Sequence, residues 1–262
     1  MTGRTVAVAP ERAKRPGAAR PLPEPPSAAE LEQCPFCAGH EEMTPPHTLV
    51  LPEEGDWRVR VVPNLYPALE RQEVVVHSPR HVRSIAELDD EEIDLVAQAW
   101  CRRREAEPEG YLHALINEGR EAGSSLPHSH SQLAWLPARP LPEPELDGDL
   151  VLEGDGVVAW SPALARLPYE LAVTPTAPES EGLRSALLAP ALRLLAELVR
   201  RLHALEGAVP LNAWLHDVGA WRIVLLPRLS VLAGLELGAG VYINMLPPDE
   251  AADRLRDARG VP

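Results

Sequence analysis

The sequence runs twice through one order of predicted strands and helices. The first pass is strand, strand, helix, strand, strand, at residues 57–62, 73–77, a helix beginning at Asp89 or Asp90, 112–117 and 129–136. The second pass repeats that order at residues 157–160, 170–173, 190–205, 211–216 and 221–226. Both passes end in the same dipeptide, at Leu136-Pro137 and Leu226-Pro227. The repeat predicts an internal duplication.

A duplication of this unit constrains the fold class strongly. Strands that are neighbours in the chain favour antiparallel pairing, and each apolar-striped helix must cover one sheet face. We therefore expect an α+β fold of two similar halves, residues 1–142 and 143–262, each an antiparallel sheet with helices on its outer face. The proline-rich segment from Arg15 to Pro26 is predicted to follow the surface or a partner subunit.

The last strand of the first unit carries a compact run of polar residues. His128, His130 and Gln132 alternate along it, after the polar lead-in Gly123-Ser124-Ser125. An imidazole with a neutral amide donor beside it suits attack on phosphorus, because charge builds on the non-bridging oxygens. The other histidine of the run can then ligate a metal or support the backbone. A chance His-x-His on a strand is the alternative.

A cysteine pair precedes the first strand. Cys34-Pro35-Phe36-Cys37 is compatible with a redox motif or with half of a metal site. Pro45-Pro46 leaves little room for the long helix that a redox motif requires, so the pair favours tetrahedral zinc. Two more ligands are needed, and spacing alone does not choose among His77, His81 and His128.

Composition excludes several functions. The formal net charge is −14, which argues against nucleic-acid binding because that needs a basic surface. No apolar run approaches the length of a membrane span, and the first residues lack the apolar region of a signal peptide. Three cysteines make no disulfide framework. These features predict a cytoplasmic protein.

The combined motifs resemble the galactose-1-phosphate uridylyltransferases of the histidine-triad superfamily. The matching segments follow one order along the chain: residues 9–16, 34–39, 62–69, 78–81, 116–119, 125–132, 226–229, 233–236 and 242–244. Gln132 is the most specific match, since hydrolytic members of the superfamily carry a third histidine there. The resemblance implies a catalytic histidine-triad-like repeat in residues 1–142 and a degenerate one in residues 143–262.

The resemblance also implies roles for individual residues. His130 would be the nucleophile and Gln132 would donate a hydrogen bond to the phosphoryl oxygens. One structural zinc ion would be held by Cys34, Cys37, His81 and His128, which resolves the choice among the histidines. The implied substrate-binding residues are Arg12, Arg15, Asn64, Asn117, Gly123, Ser125 and Glu236. The implied assembly is a homodimer with small-molecule nucleotide sugars and sugar phosphates as partners.

Two departures from the family pattern concern the second half. The family's His-Trp-His run is replaced by Ala220-Trp221-Arg222, so no metal is expected in the second repeat. Leu235 stands where an aromatic residue is common, beside the retained Glu236. The residues that the resemblance implies for nucleotidylyl transfer are all present, whereas these departures leave the identity of the sugar open.

Three functions therefore compete. The first is transfer of UMP between UDP-glucose and a hexose 1-phosphate, with galactose 1-phosphate as the favoured sugar and a covalent nucleotidyl-histidine intermediate. The second is a nucleotide-sugar or dinucleoside-polyphosphate phosphorylase or hydrolase that uses the same histidine. The third is an inactive nucleotide-binding or zinc scaffold protein.

Overall fold

A single ten-stranded antiparallel sheet forms the centre of the molecule. The structure is a computed structural model that describes residues 5–14 and 25–259. In spatial order the strands are β2 (Leu49–Leu51), β3 (Val59–Pro63), β4 (Gln72–Val76), β6 (His130–Leu136), β5 (Tyr111–Glu118), β10 (Leu211–His216), β11 (Arg222–Pro227), β9 (Leu171–Pro175), β8 (Val157–Pro162) and β7 (Gly148–Gly154). Five strands come from each half of the chain.

The two halves join edge to edge through β5 and β10. Asn117 pairs with Asn212 and Leu115 with Trp214 across this antiparallel seam. The α+β class is thereby confirmed, with one shared sheet in place of two separate ones. The duplicated order of elements appears as two five-stranded arrays that share one seam.

Two long helices cover one face of the sheet. They are α2 (Asp90–Ala106) and α3 (Leu188–Glu206), and their apolar residues share one core with the sheet. The Asp89 carboxylate accepts the Glu92 N–H at 2.7 Å, and Glu92 accepts the Asp89 N–H at 3.0 Å. This reciprocal capping box sets the start of α2 at the residue that the sequence predicts.

The helix face and the open face of the sheet follow from strand alternation. Trp100 of α2 is buried, and its Nε1–H donates to Ser131 Oγ at 2.9 Å. Ser131 therefore points toward the helices, and its neighbours His130 and Gln132 point to the opposite, open face. The sequence positions of β6 thus decide which residues line the candidate site.

The remaining elements flank the sheet. They are α1 (Ala28–Gln33), α4 (Gly234–Ala239), α5 (Pro248–Asp257) and a parallel pair of strands, β1 (Thr5–Val8) and β12 (Val241–Asn244). The sequence did not predict these elements, nor β2 and β7. The predicted course of residues 15–24 lies outside the described residues, and within the described part no helix is long and apolar enough to cross a bilayer.

Candidate active site

His130 begins β6 at the bottom of an open cleft. The cleft has a volume of about 280 Å³, and Gln132, Asn64 and Ser125 line it together with His130. The apolar part of its wall is Pro35, Phe36, Met43, Pro45, Val62, Pro63, Leu65, Val74 and Leu126. A cleft with an apolar wall and a few polar groups on one side is typical of a small-molecule site.

The imidazole of His130 is held in one tautomer. Its Nδ1 lies 2.7 Å from the backbone oxygen of His128, and because a carbonyl only accepts, Nδ1 carries the proton. Nε2 is therefore the unprotonated nitrogen. Burial lowers the pKa of His130, so the ring is neutral and its Nε2 lone pair is available for attack at neutral pH.

Gln132 is oriented by a neighbouring glutamine that sequence reasoning missed. Gln72 Nε2–H donates to Gln132 Oε1 at 2.5 Å. The Gln132 amide nitrogen is then left as a hydrogen-bond donor beside His130. A fixed neutral donor next to a nucleophile can stabilise charge on phosphoryl oxygens without reorganising during the reaction.

The loop after β5 contributes Ser125 and Leu126 to the wall of the cleft. Gly119 and Gly123 have φ angles of +81° and +91°, and a side chain at Gly119 would lie 2.8 Å from Pro210. The Ser124 hydroxyl donates to Leu126 O at 2.7 Å, which fixes the segment that carries Ser125 to the cleft wall. The glycines allow the tight course of this loop.

Four potential metal ligands converge behind the cleft. Their ligand atoms, from Cys34, Cys37, His81 and His128, all lie within 4.8 Å of one another. Cys34 Sγ is 3.4 Å and Cys37 Sγ is 3.7 Å from His128 Nδ1, and Cys37 Sγ is 3.2 Å from His81 Nδ1. Sulfur and nitrogen ligands on one tetrahedral zinc ion lie about 3.6 Å apart. The cluster therefore has the dimensions of a tetrahedral metal site.

Both histidines of the cluster are anchored through the opposite ring nitrogen. His81 Nε2 lies 2.8 Å from Glu30 Oε1, and His128 Nε2 lies 2.9 Å from Ser78 O. A carboxylate or carbonyl behind a ligating histidine is the usual outer shell of a metal site. Burial lowers the pKa of His128 to about 4, so this imidazole is neutral, which is the form that binds metal.

The cluster of potential metal ligands is joined to the strand that carries His130 by backbone hydrogen bonds. Ser129 N–H donates to Val82 O at 2.7 Å, and His77 N–H donates to Ser129 O at 3.3 Å. Ser129 lies between the candidate ligand His128 and the candidate nucleophile His130. These bonds link the residue before His130 to the chain on either side of Ser78-Pro79, next to His81.

Five predicted site residues lie elsewhere or outside the described residues. Asn117 Oδ1 accepts from Asn212 Nδ2 at 2.8 Å across the seam. The Glu236 carboxylate caps α4 by accepting the Ala233 N–H at 2.8 Å. This hydrogen bond lowers the pKa of Glu236, and the positive charge of Arg12 adds to that effect. The cleft is not lined by Arg12, Asn117, Gly123 or Glu236 of the same chain. Arg15 lies outside the described residues.

The equivalent face of the second half is covered by the chain itself. Arg222 Nη1 donates to Pro144 O at 3.1 Å, and Glu143 N–H donates to His216 Nε2 at 3.3 Å. The linker between the halves thus crosses the open face of β10 and β11. The space left there is about 110 Å³, less than half of the volume of the cleft at His130.

A buried carboxyl at the end of β5 contacts the segment that follows His81. Glu118 Oε1 accepts the Ile85 N–H at 2.6 Å, at the one-turn helix Ile85–Glu87. Burial raises the pKa of Glu118 to about 7. The second half repeats the contact, since Asp217 accepts the Gly182 N–H at 3.0 Å. The repeated carboxyl cap is a local trace of the duplication.

Glu118→Gln is expected to flatten the pH dependence of stability. From about pH 4.5 to 7 the folded chain keeps the Glu118 proton that the unfolded chain has lost, so the wild type loses stability as pH rises. Relative to the variant, the loss reaches roughly 3 kcal/mol. Urea unfolding from pH 5 to 8 measures it, with exposed Glu121→Gln as control. A difference between Glu118→Gln and wild type that does not change with pH would contradict the assignment.

Comparisons with known proteins give a consistent family. Residues 65–140 match the family model described as galactose-1-phosphate uridyl transferase, N-terminal domain. An Arabidopsis thaliana ADP-glucose phosphorylase is 26% identical, covering 98% of this chain and 91% of that protein. A Thermotoga maritima galactose-1-phosphate uridylyltransferase is 24% identical, covering 86% of this chain and 89% of that protein.

A solved structure supports the same fold. The crystal structure of an Arabidopsis thaliana ADP-glucose phosphorylase with bound ADP-glucose superposes with a TM-score of 0.81 at 24% identity. The superposition covers 96% of this chain and 94% of that one. The whole described architecture, including both halves, is therefore shared.

Proposed function

We propose that this chain is a member of the galactose-1-phosphate uridylyltransferase family and that it transfers a nucleotidylyl group through a covalent bond to His130 Nε2. Its relatives support a nucleotidyltransferase-type enzyme. The observation that carries the proposal is the Nδ1–H bond from His130 to His128 O, because it leaves Nε2 as the nucleophile.

The first step displaces a sugar phosphate. Nε2 of His130 attacks the α-phosphorus of a nucleoside diphosphate hexose, the P–O bond to the β-phosphate breaks, and hexose 1-phosphate leaves. The Gln132 amide donates to the non-bridging oxygens, where charge develops. In the second step an acceptor phosphate oxygen attacks the same phosphorus and His130 leaves as neutral imidazole.

The acceptor decides between two functions. With a hexose 1-phosphate, the reaction is UMP transfer between UDP-glucose and galactose 1-phosphate, and this is our first proposal. The second candidate is a nucleotide-sugar phosphorylase, in which inorganic phosphate is the acceptor and a nucleoside diphosphate is the product. The alignment with ADP-glucose phosphorylase over 98% of this chain favours that candidate.

A paired donor and acceptor assay distinguishes the two. UDP-glucose or ADP-glucose is mixed with labelled galactose 1-phosphate or labelled inorganic phosphate. Label in a nucleotide sugar supports the uridylyltransferase, and label in UDP or ADP supports the phosphorylase. If a covalent adduct forms but water is the only acceptor, both acceptor proposals fail. If no donor forms an adduct, the nucleotidyl-histidine mechanism fails.

The metal cluster and the assembly complete the proposal. We infer that zinc fills the Cys34, Cys37, His81 and His128 site; with all four ligands from the protein it is closed and structural. Residues 1–142 then form the catalytic repeat and residues 143–262 the degenerate one. We also propose a homodimer in which Arg12, Arg15 and Glu236 act at the partner's cleft, since Arg12 and Glu236 do not reach the cleft of their own chain.

A further inference from the structure

A second cleft lies at the other end of the catalytic strand. It has a volume of about 270 Å³ and is formed by the end of α2, the start of β5, the residues after β6, residues 180–184 before α3 and the turn after β10. β6 begins with His130 in the catalytic cleft and ends at Leu136, and Arg139 of the second cleft follows three residues later. The two clefts share no lining residue.

The second cleft concentrates positive charge in an acidic protein. Arg104, Arg139 and Arg184 line it, against Glu181 and Asp217, whereas the whole chain has a net charge of −14. Arg184 makes one long contact of 3.4 Å to Glu181, with both side chains about half exposed or more. An exposed ion pair of this length contributes little, so the Arg184 guanidinium is available to a ligand.

The Arg139 guanidinium is also available to a ligand. It is exposed, and the described part of the chain places no carboxylate within salt-bridge distance of its guanidinium. Arg104 is oriented differently, because its Nη1 donates to Gly110 O at 3.0 Å. One guanidinium is thus fixed by the backbone while two others can close on an anion.

A neutral donor lies among the three arginines. Tyr111 lines the cleft but is only 7% exposed, and its hydroxyl oxygen accepts the Asp217 N–H at 3.1 Å. The phenolic proton is therefore not used in that bond and can be donated into the cleft. Burial raises the pKa of Tyr111, so the hydroxyl keeps its proton at neutral pH.

We propose that this cleft binds a small phosphate monoester, held by Arg139 and Arg184 with Tyr111 as the neutral donor. Guanidinium groups match phosphate oxygens in pairs, and the three arginines of the lining outnumber its two carboxylates. The volume is close to the lower end of small-molecule pockets, which suits a phosphorylated sugar better than a bare ion. Because it is remote from His130, the site is an accessory one that takes no part in transfer.

Calorimetric titration with glucose 6-phosphate tests the assignment. Arg139→Gln/Arg184→Gln is expected to weaken binding at least tenfold. Arg102→Gln/Arg193→Gln removes two arginine charges outside the cleft, where these side chains pair with Glu53 and Asp94, and is expected to change affinity less than twofold. Inorganic phosphate is expected to bind more weakly than the ester.

Each contrary result rejects a defined part of the proposal. Equal weakening in both double variants means general charge attraction and rejects the site. Loss of glucose 6-phosphate binding in Gln132→Ala places the ligand in the catalytic cleft and also rejects it. Equal affinity for inorganic phosphate rejects the ester in favour of a bare anion. Because binding is the readout, the result is independent of whether the proposed transfer reaction is correct.

Discussion

His130→Ala is expected to lower the rate of nucleotidylyl transfer by about four orders of magnitude or more, which is the usual cost of removing a covalent nucleophile. The variant should fold, because the His130 ring lies at the cleft and its one described hydrogen bond goes to the neighbouring His128 O. No nucleotide should remain attached to the protein after incubation with a nucleotide sugar.

Mass spectrometry of the intact protein measures this directly. Wild type incubated with UDP-glucose or ADP-glucose should gain the mass of one nucleoside monophosphate, and the added mass should map to the peptide that contains His130. The control is His47→Ala, an exposed histidine outside the cleft, which should form the adduct at the wild-type rate. An adduct that persists in His130→Ala would mean that another residue is the nucleophile.

Much of the fold follows from local sequence patterns. The start of α2 is set by Asp89 and Glu92, whose side chains cap each other's backbone. The end of α3 is set by Gly207, which has a φ of +75°. These signals act within a few residues and need no knowledge of the rest of the chain. The joining of two sheets into one could not be predicted in this way, since the β5–β10 pairing connects residues almost a hundred positions apart.

The candidate site is predictable only where the family pattern or strand alternation applies. His130 and Gln132 share a face because they are two residues apart on one strand. The contact of Gln72 with Gln132 depends on register, since β4 places Val74 directly opposite Gln132 and Gln72 two residues away. Sequence alone does not set that register, so the residue that orients the donor was missed.

The choice between His77 and His81 shows the same limit. Alternation from the core residue Val75 turns His77 toward the helices, where its Nδ1 meets Ser129 Oγ at 2.9 Å. His81 reaches the cysteines only because the chain turns after Ser78-Pro79, and the geometry of that turn is not encoded in a pattern. The resemblance implies His81, and His81 lies with the two cysteines and His128, whereas spacing alone does not choose between His77 and His81.

Loss of the proposed metal is the second large effect that we expect. Cys37→Ser should reduce bound zinc from one equivalent per chain to a small fraction and lower the thermal unfolding midpoint by roughly 10 °C, which corresponds to a few kcal/mol in a chain of this size. The transfer rate should fall about a hundredfold, because His130 would shift with its backbone. Cys101→Ser, outside the cluster, should leave zinc content, midpoint and rate unchanged.

Exchange of zinc for Co²⁺ separates a structural metal from a catalytic one. Four protein ligands leave no position for substrate, so the rate depends on where the metal holds His128 and hence His130, and should change less than about threefold. The visible spectrum should be that of a tetrahedral site with two sulfur and two nitrogen ligands. A large change in rate with an unchanged unfolding midpoint would instead require an open coordination position at the reacting phosphorus. The Glu30 and Ser78 contacts behind both histidines argue against that outcome, because they hold each imidazole facing the two cysteines and away from the cleft.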